Sequence, residues 1–264
     1  MYQLAVIGNP ISHSLSPIIW QDFAKQTAIE LNYTKICAPI ENFELVVNDF
    51  FAHDGYCLSV TAPFKQRAFE LADQYLVNSQ LTNTANHLFK KNQVLMAENT
   101  DGIGFMADLA SLQIDLSNKN ILFIGGGSVI HSVLHNIIQA KPQSIDLLMR
   151  DPSKISSFQS KYELVGLYQV QQRYDVVINT TPNSLDNPLF SQVKYLAHNA
   201  LIYDMLYNAK VAYFNQAMQQ LAPNAIIANG LGMLIQQAKL AFELVFAMPV
   251  ATEHLYAQLA KHIS

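Results

Sequence analysis

A short apolar segment that runs into three glycines and then into a helical pattern narrows the possible folds of this chain more than any other segment. The apolar residues are 121–124, Gly125-Gly126-Gly127 follow them, and the helical pattern starts at Ser128. Glycines let a backbone approach a pyrophosphate closely, and a helix N-terminus offers free N–H groups with a partial positive charge. Because Ile130 occupies the third glycine position of the G-x-G-x-x-G fingerprint, a simple tight turn stays open as the alternative.

The end of the next apolar segment indicates which dinucleotide such a turn would bind. In dinucleotide-binding units an acidic residue about 20 residues after the glycines pairs with the 2'-hydroxyl of NAD. This chain instead has Arg150 there, with Lys154 one helical turn later. These cations suit a 2'-phosphate and favour NADP, although two solvated surface charges are the alternative. Asp151 would repel a phosphate, but its place before Pro152 also suits a helix cap.

Strand and helix patterns alternate along the chain. We expect strands at residues 4–8, 33–38 and 57–61, and helices at residues 16–26, 43–53 and 65–75. Near-continuous apolar runs, typical of strands buried on both faces, follow at residues 121–124, 145–149, 175–178, 201–205 and 225–228. Residues 231–264 have a helical pattern that is interrupted at Met248-Pro249. The sequence therefore predicts an α/β protein whose sheets are covered by helices and contain parallel pairs.

The composition supplies ample material for a core and argues against one class of partner. Half of the 264 residues are hydrophobic and only 14% are charged, compared with about 25% charged residues in an average domain. This excludes general disorder. The net charge is -4 and no basic run is present, so we expect no nucleic-acid partner.

Cysteine, histidine and hydropathy patterns give three further expectations. Cys37 and Cys57 are too few for a disulfide framework or a zinc site, so we expect buried thiols in a reduced, cytoplasmic protein. The longest stretch without charged residues, 120–140, is broken by glycines, so we expect no membrane span, and no signal peptide is evident. His131 and His135 lie four residues apart without an evident third ligand, so we expect no metal site.

Three polar clusters follow predicted strands in the first part of the chain. The segment 8–17 places Ser14 and Ser16 where open α/β sheets bind small ligands, with a helix cap at Ser16 before Pro17 as the alternative. Residues 59–65 end in Lys65 at a helix start, where a cation opposes the helix dipole and suggests a functional role. Residues 99–102 contain Asp101, which either points a carboxylate at a ligand or belongs to a turn.

In their order and spacing, these segments resemble the shikimate dehydrogenase family along essentially the whole chain. The resemblance is carried by Gly8-Asn9-Pro10 with Ser14-Leu15-Ser16-Pro17, Val60-Thr61 with Pro63-Phe64-Lys65, Asn86, Asn99-Thr100-Asp101-Gly102, Tyr203-Asp204-Met205 with Tyr207, and Gly230-Leu231-Gly232-Met233-Leu234 with Gln237-Ala238.

The resemblance implies an NADP-dependent oxidoreductase that acts on a CH–OH group, reversibly reducing 3-dehydroshikimate to shikimate in aromatic amino-acid biosynthesis. It implies that Lys65 and Asp101 are the catalytic pair and that Ser14 and Ser16 hold the substrate carboxylate. The residues implied to meet the substrate hydroxyls are Thr61, Asn86, Asp101, Tyr207 and Gln237. Those implied on the cofactor side are Gly125, Gly126, Gly127, Ser128, Val129, Arg150, Lys154, Met205 and Gly230.

The same resemblance implies two domains with a cleft between them. The N-terminal α/β substrate-binding domain would comprise residues 1–101 and 230–264, and a Rossmann-like, doubly wound dinucleotide-binding domain would comprise residues 102–229. A monomer or homodimer is expected. Two alternatives stay open: a relative that uses quinate or another hydroxy acid, and a non-catalytic sensor that binds shikimate without turnover. Retention of both Lys65 and Asp101 favours the enzyme.

The chain also departs from the family pattern at several positions. Ser59 replaces the usual asparagine before Val60-Thr61, and Asn83-Thr84-Ala85-Asn86-His87 replaces the usual G-A-V-N-T. Asn229 replaces an aspartate, His131 replaces a basic residue, and Met149-Arg150-Asp151 replaces N-R-T. Most of these departures fall on the cofactor side or beside the substrate loop.

Overall fold

The structure is a computed structural model that describes residues 1–181, 187–207 and 211–263, and only the backbone of Ser128. The chain divides into two compact units. Unit 1 comprises Met1–Asp108, His131–His135 and Met233–Leu259, and unit 2 comprises Leu109–Ile130, Asn136–Gly232 and Ala260–Ser264.

The first part of the chain builds a mixed sheet. Its elements are β1 (Tyr2–Gly8), α1 (Ser16–Thr27), β2 (Leu31–Cys37), α2 (Phe43–Ala52), β3 (Gly55–Val60), α3 (Lys65–Leu71), β4 (Gln74–Tyr75), α4 (Val77–Thr82), β5 (His87–Lys91), β6 (Val94–Glu98) and α5 (Asp101–Ser111). The described strands are ordered β2-β1-β3-β5-β6-β4. Strands β1, β2 and β3 run parallel, whereas β5 runs antiparallel to both β3 and β6. Phe43 and Phe64 stack in the core of this unit, with ring centroids 4.5 Å apart.

One expectation for this part of the chain is wrong, and one hairpin was missed. The helix expected at residues 65–75 ends at Leu71, because Ala72 is extended and residues 74 and 75 pair with β6. The β5–β6 hairpin was not predicted at all. Its turn is made by Asn92 and Gln93 at φ 52° and 67°. A turn of two positive-φ residues usually contains a glycine, and because this turn has none, the sequence did not indicate it.

The second sheet confirms the Rossmann-like expectation. Its elements are β7 (Asn120–Ile124), α6 (Ser128–Gln139), β8 (Ser144–Leu148), α7 (Ile155–Gln159), β9 (Val165–Leu167), β10 (Tyr174–Asn179), β11 (Leu196–Asp204), α8 (Val211–Gln219) and β12 (Ile226–Asn229). The described strands are ordered β12-β11-β10-β7-β8-β9 and all pair in parallel. This is the doubly wound order of dinucleotide-binding folds, with the reversal between β7 and β10.

The C-terminal segment is helical, as expected, with a break at Met248-Pro249. It forms α9 (Leu231–Phe246) and α10 (Glu253–Ala260), while Ser264 lies outside the described residues. None of the helices in the described ranges has the length and apolar character needed to cross a bilayer. In the same ranges, no three His, Cys, Asp or Glu side chains are grouped so that they could hold a metal ion.

The expectation of buried thiols is confirmed for one cysteine and wrong for the other. Cys57 lies in the central strand β3 and is buried, whereas Cys37 is exposed. The physical reason is position, because Cys37 ends β2, the strand at the edge of the sheet.

Candidate active site

The strand directions in unit 1 bring the chemistry-bearing segments to one edge of the sheet. Strands β3 and β6 both end there, and the antiparallel β5 begins there, with His87 opposite Ser59 on one side and Glu98 on the other. The backbone of Asn86 is held between its neighbours, because its C=O accepts from Val60 N at 2.7 Å and its N–H donates to Glu98 O at 3.0 Å. Helix α3 follows β3 and helix α5 follows β6, so the first residues of both helices meet at this edge.

Those first residues are Lys65 and Asp101, and they form a buried ion pair. Lys65 Nζ donates to Asp101 Oδ2 at 2.5 Å, and the two side chains are only 13% and 6% exposed. The turn considered for residues 99–102 is wrong, since Asp101 begins α5, where a carboxylate is stabilised by the helix dipole. Lys65 begins α3 and opposes the dipole of that helix. Burying both charges is costly unless each is fully hydrogen-bonded.

Asn86 supplies the hydrogen bond that the buried Asp101 carboxylate needs besides the one from Lys65. Its Nδ2 donates to Asp101 Oδ1 at 2.9 Å and to Gln237 Oε1 at 3.1 Å. Its Oδ1 accepts from Thr100 N at 2.9 Å. Both carboxylate oxygens of Asp101 are therefore engaged, one by Lys65 and one by Asn86, and the carboxylate is fixed in place.

A glycine allows Gln237 to reach this cluster. A Cβ on Gly104 of α5 would lie 2.7 Å from both the backbone N and the Cβ of Gln237 in α9. Any side chain at residue 104 would push the two helices apart. The close approach is secured by Thr100, whose Oγ1 donates to the backbone O of Gln237 at 3.0 Å.

The hydroxyl residues lie at the ends of β1 and β3. Ser14 and Ser16 are buried, with their Oγ atoms 3.2 Å apart. The alternative of a cap at Ser16 is wrong, because α1 begins at Ser16 and the Ser16 N–H donates to Ser14 Oγ at 3.3 Å. Thr61 follows β3, and its N–H donates to Ile7 O of β1 at 3.0 Å. Within the described ranges, no side-chain hydrogen bond joins these three residues to Lys65 or Asp101.

The glycine turn of unit 2 is shaped by close packing against neighbouring residues. Gly125 has φ +117°, and a Cβ there would lie 2.5 Å from Thr180 Oγ1, just after β10. Gly127 is the N-cap of α6 and has no side chain with which to cap it. The first N–H groups of α6 are thus open to an anion. Gly230 packs equally closely, since a Cβ there would lie 2.2 Å from Met205 O.

The predicted phosphate-reading residues follow β8 in unit 2. Arg150 and Lys154 are both exposed. The cap suggested for Asp151 is confirmed, because Asp151 Oδ1 accepts from Ser153 N at 3.1 Å and from Ser153 Oγ at 2.6 Å. These hydrogen bonds hold the pKa of the Asp151 carboxyl below its usual range.

Three further predicted residues belong to unit 2. Val129 is half-buried in the first turn of α6, and the side chain of Ser128 lies outside the described part. Tyr207 is half-buried, and burial raises the pKa of its hydroxyl.

Sequence reasoning missed the role of one buried residue, His87. Its Nδ1 lies 3.2 Å from Ser59 Oγ and its Nε2 lies 3.3 Å from Gln237 Oε1. Burial lowers the pKa of the imidazole to about 4. The available signal was that Ser59 and His87 are both departures from the family pattern; the β3–β5 register that pairs them was not predictable.

His87 predicts a pH-dependent stability. The folded pKa lies near 4 and the ordinary value is 6.5, so the unfolded chain binds more protons in that window. The free energy of unfolding should therefore fall as pH decreases from about 6.5 to about 4, by at most about 1.4 kcal/mol per pH unit. The measurement is urea unfolding at several pH values, followed by fluorescence of Trp20, the single tryptophan, whose ring lies 6.1 Å from that of His87.

The control for this prediction is His87→Gln, which removes the titrating group. Asp204 has the opposite effect, since burial raises its pKa to about 6 and stability is lost as pH rises toward that value. Subtracting the curve of the variant from that of the wild type cancels Asp204. A difference that does not change between pH 6.5 and pH 4 would contradict the pKa assigned to His87.

Comparison with known proteins identifies the family to which this chain is similar. The family model for the shikimate dehydrogenase substrate binding domain matches residues 6–88. The shikimate dehydrogenase (NADP(+)) of Vesicomyosocius okutanii subsp. Calyptogena okutanii (strain HA) is 35% identical over 251 residues, which are 92% of this chain and 93% of that protein. The protein of the same name from Legionella pneumophila (strain Lens) is 36% identical over 263 residues, 97% of this chain and 98% of that protein.

A solved structure agrees on the fold. The shikimate 5-dehydrogenase of Thermus thermophilus, crystallised with NADP(H) and shikimate, superposes with a TM-score of 0.88 and covers 99% of this chain and 100% of its own. At 21% identity, this likeness concerns the fold alone.

Proposed function

The chain belongs to the shikimate dehydrogenase family, and from this membership we propose that it catalyses the reversible, NADP-dependent reduction of 3-dehydroshikimate to shikimate, a step of aromatic amino-acid biosynthesis. The observation that carries the proposal is the buried Lys65–Asp101 ion pair, with Asn86 and Gln237 around it. An ion pair with this burial at the ligand-binding edge of an α/β sheet suits proton transfer better than structural support.

The chain's own residues supply the acid, the base and their alignment. When bound, NADPH supplies the hydride that reduces the carbonyl carbon. In that direction the Lys65 ammonium gives a proton from Nζ to the carbonyl oxygen, and in the oxidative direction the Lys65 amine takes the hydroxyl proton. Asp101 Oδ2 accepts from Nζ at 2.5 Å, and Asn86 donates to Asp101 from the other side. Positioned proton transfer of this kind typically contributes about 10²- to 10⁴-fold.

Substrate binding is assigned to residues at the same edge and to Tyr207. Ser14 and Ser16 bind the substrate carboxylate, for which two buried, adjacent hydroxyls are suitable donors. The residues assigned to the substrate hydroxyls are Thr61, Asn86, Asp101, Tyr207 and Gln237. A site that pairs each hydroxyl with a side chain can reject analogues that lack one by roughly 10⁴- to 10⁵-fold.

The glycine turn of unit 2 fits a dinucleotide. Its close packing on Thr180 and its uncapped helix N-terminus leave backbone N–H groups for a pyrophosphate. We assign the pyrophosphate side to Gly125, Gly126, Gly127, Ser128 and Val129, and the nicotinamide side to Met205 and Gly230. Arg150 and Lys154 are assigned to the 2'-phosphate, which distinguishes NADP from NAD.

The same proposal includes the domain limits, the oligomeric state and the cellular location of the protein. We propose a substrate domain of residues 1–101 and 230–264 and a cofactor domain of residues 102–229. Support comes from the two compact units, because the first segment of unit 1 ends at Asp108 and its last segment begins at Met233, near both limits. The family match also lies within the first segment. We further propose a cytoplasmic monomer or homodimer without a nucleic-acid partner.

The test is an initial-rate measurement that combines shikimate or quinate with NADP or NAD and follows the absorbance of the reduced nicotinamide. Rapid turnover with shikimate and NADP alone is the expected result. Rapid turnover of quinate would instead indicate the relative with a different hydroxy-acid preference. Binding of shikimate without any turnover would overturn the proposal in favour of a sensor.

Cofactor choice gives a separate prediction at Arg150. Replacing Arg150 with alanine removes a charge-assisted contact to the 2'-phosphate, so KM for NADP should rise about tenfold while KM for NAD stays nearly constant. Arg173, which is also exposed in unit 2, provides the control variant Arg173→Ala. Equal changes in KM for NADP and NAD would contradict the assignment of Arg150.

A further inference from the structure

Four side chains in unit 1 form a buried hydrogen-bond chain that ends on a substrate-binding residue. The hydroxyl of Tyr33 donates to Ser59 Oγ at 2.7 Å, and Ser59 Oγ lies 3.2 Å from His87 Nδ1. His87 Nε2 lies 3.3 Å from Gln237 Oε1. Because three of these four side chains are buried, each hydrogen bond must have a definite direction.

One backbone N–H fixes the direction at the Gln237 end. The N–H of Thr100 can only donate, and it lies 2.9 Å from one amide atom of Asn86, which must therefore be the oxygen. The other amide atom of Asn86 is then the nitrogen, which also suits its contact with the Asp101 carboxylate at 2.9 Å. This nitrogen also faces Thr100 Oγ1 at 3.0 Å and Gln237 at 3.1 Å. The other Gln237 amide atom lies 2.8 Å from Leu234 O, which can only accept, so the Gln237 atom that faces Asn86 must be the oxygen.

The direction then follows through the imidazole. Since Gln237 Oε1 can only accept, His87 Nε2 must carry a hydrogen and donate it. Burial keeps the pKa of His87 near 4, so the ring is neutral at neutral pH and its Nδ1 has no hydrogen. Ser59 therefore donates its hydroxyl hydrogen to Nδ1, while its oxygen accepts from Tyr33.

This arrangement leaves Gln237 with one defined function. Its oxygen accepts from both Asn86 and His87, and its Nε2 donates one hydrogen to Leu234 O at 2.8 Å. The second Nε2 hydrogen makes no hydrogen bond with any residue in the described ranges. Gln237 can thus offer a donor, and not an acceptor, to a ligand.

We propose that His87 is a positioning residue that holds the amide of Gln237 in the orientation in which its free N–H donates to a hydroxyl of the substrate. The inference rests on the proposed function, because it concerns the binding of shikimate. It goes beyond that function in assigning a role to Tyr33, Ser59 and His87, none of which needs to touch the substrate.

The test compares two replacements of His87. Asparagine is long enough to keep the contact with Ser59 but too short to donate to Gln237, whereas glutamine carries an N–H to about the position of Nε2. His87→Asn should raise KM for shikimate about three- to tenfold and change kcat less than about twofold. His87→Gln should bring KM back to within about twofold of the wild type.

A matched control separates positioning from general loss of stability. Leu88 is the next residue in β5 and is fully buried in the core of unit 1. Leu88→Val should lower the urea midpoint of unfolding without the rise in KM. A similar rise in KM in Leu88→Val would overturn the inference, because the effect would then come from loosening of β5.

Two further measurements complete the test. In a Gln237→Ala background, His87→Asn should raise KM no further, whereas independent, multiplicative effects would overturn the inference. In the wild type, ¹⁵N NMR of labelled histidine should show His87 with a protonated Nε2 and an unprotonated Nδ1, and the opposite tautomer would overturn the inference.

Absence of turnover in the wild type would overturn the proposed function together with the inference. Turnover with equal KM for the two His87 variants would overturn the inference alone.

Discussion

Replacing Lys65 with alanine should lower kcat for shikimate oxidation by about 10²- to 10⁴-fold and change KM for shikimate much less. The reason is the role proposed for Lys65 Nζ as proton donor and acceptor, with the hydroxyls of the substrate assigned to other side chains. Asp101 keeps its hydrogen bond from Asn86 in this variant, so the carboxylate stays in place. The measurement is steady-state kinetics in both reaction directions.

Two companion variants show whether proton transfer or charge alone is lost. Lys65→Arg keeps a cation beside Asp101, but a guanidinium does not release its proton in proteins, so kcat should be as low as in Lys65→Ala. Lys91 is an exposed lysine of β5, and Lys91→Ala should leave kcat unchanged. An unchanged turnover number in Lys65→Ala, or full activity in Lys65→Arg, would contradict the role given to Lys65.

Replacing Gly104 with alanine should lower both stability and catalysis. The added Cβ would lie 2.7 Å from the backbone N and Cβ of Gln237, so α5 and α9 must shift. Overpacking of this kind typically costs about 1–3 kcal/mol of unfolding free energy. Because a displacement near 1 Å can cost about 10²-fold in rate, kcat/KM for shikimate should fall by a comparable factor.

Urea unfolding and steady-state kinetics check this prediction together. Ala110 is exposed on the same helix, and Ala110→Ser adds one heavy atom at this exposed position. That control should change the unfolding free energy by less than about 0.5 kcal/mol. Wild-type kcat/KM in Gly104→Ala would show that Gln237 does not need the close approach of the two helices.

The sheet of unit 2 was predictable from local sequence because its strands are short apolar runs buried on both faces. Residues 121–124 are fully buried in β7, and the glycine turn lies directly after them, as the pattern indicated. The choice between NADP and NAD rested on Arg150 and on the cap at Asp151. The cap is confirmed, and the role of Arg150 stays a prediction.

The pairing of Lys65 with Asp101 was predictable only through the resemblance to a family. Lys65 and Asp101 are 36 residues apart in the chain, and their local sequences do not indicate that the two side chains form a contact. Their meeting depends on the β5–β6 hairpin between them, whose Asn92-Gln93 turn lacks the usual glycine. The partnership of Ser59 with His87 depends on the same hairpin, through the register of β5 against β3.

Two departures from the family pattern have simple physical explanations in the structure. Asn229 stands where an aspartate is usual, and its Oδ1 accepts from Leu231 N at 3.0 Å at the start of α9. Asparagine and aspartate are equally good helix caps, so the replacement preserves the local structure. Met149 packs against the glycine turn so closely that a Cβ on Gly126 would lie 2.8 Å from Met149 Sδ.

The proposed hydride transfer can be observed by isotope labelling. The protein is incubated with 3-dehydroshikimate and NADPH that carries deuterium at both C4 positions of the nicotinamide, and the product is identified by mass spectrometry. We expect that shikimate is formed and carries the deuterium, and that Lys65→Arg forms almost none in the same time. Failure of the wild type to form labelled shikimate would contradict the assignment of this chain as an NADP-dependent shikimate dehydrogenase.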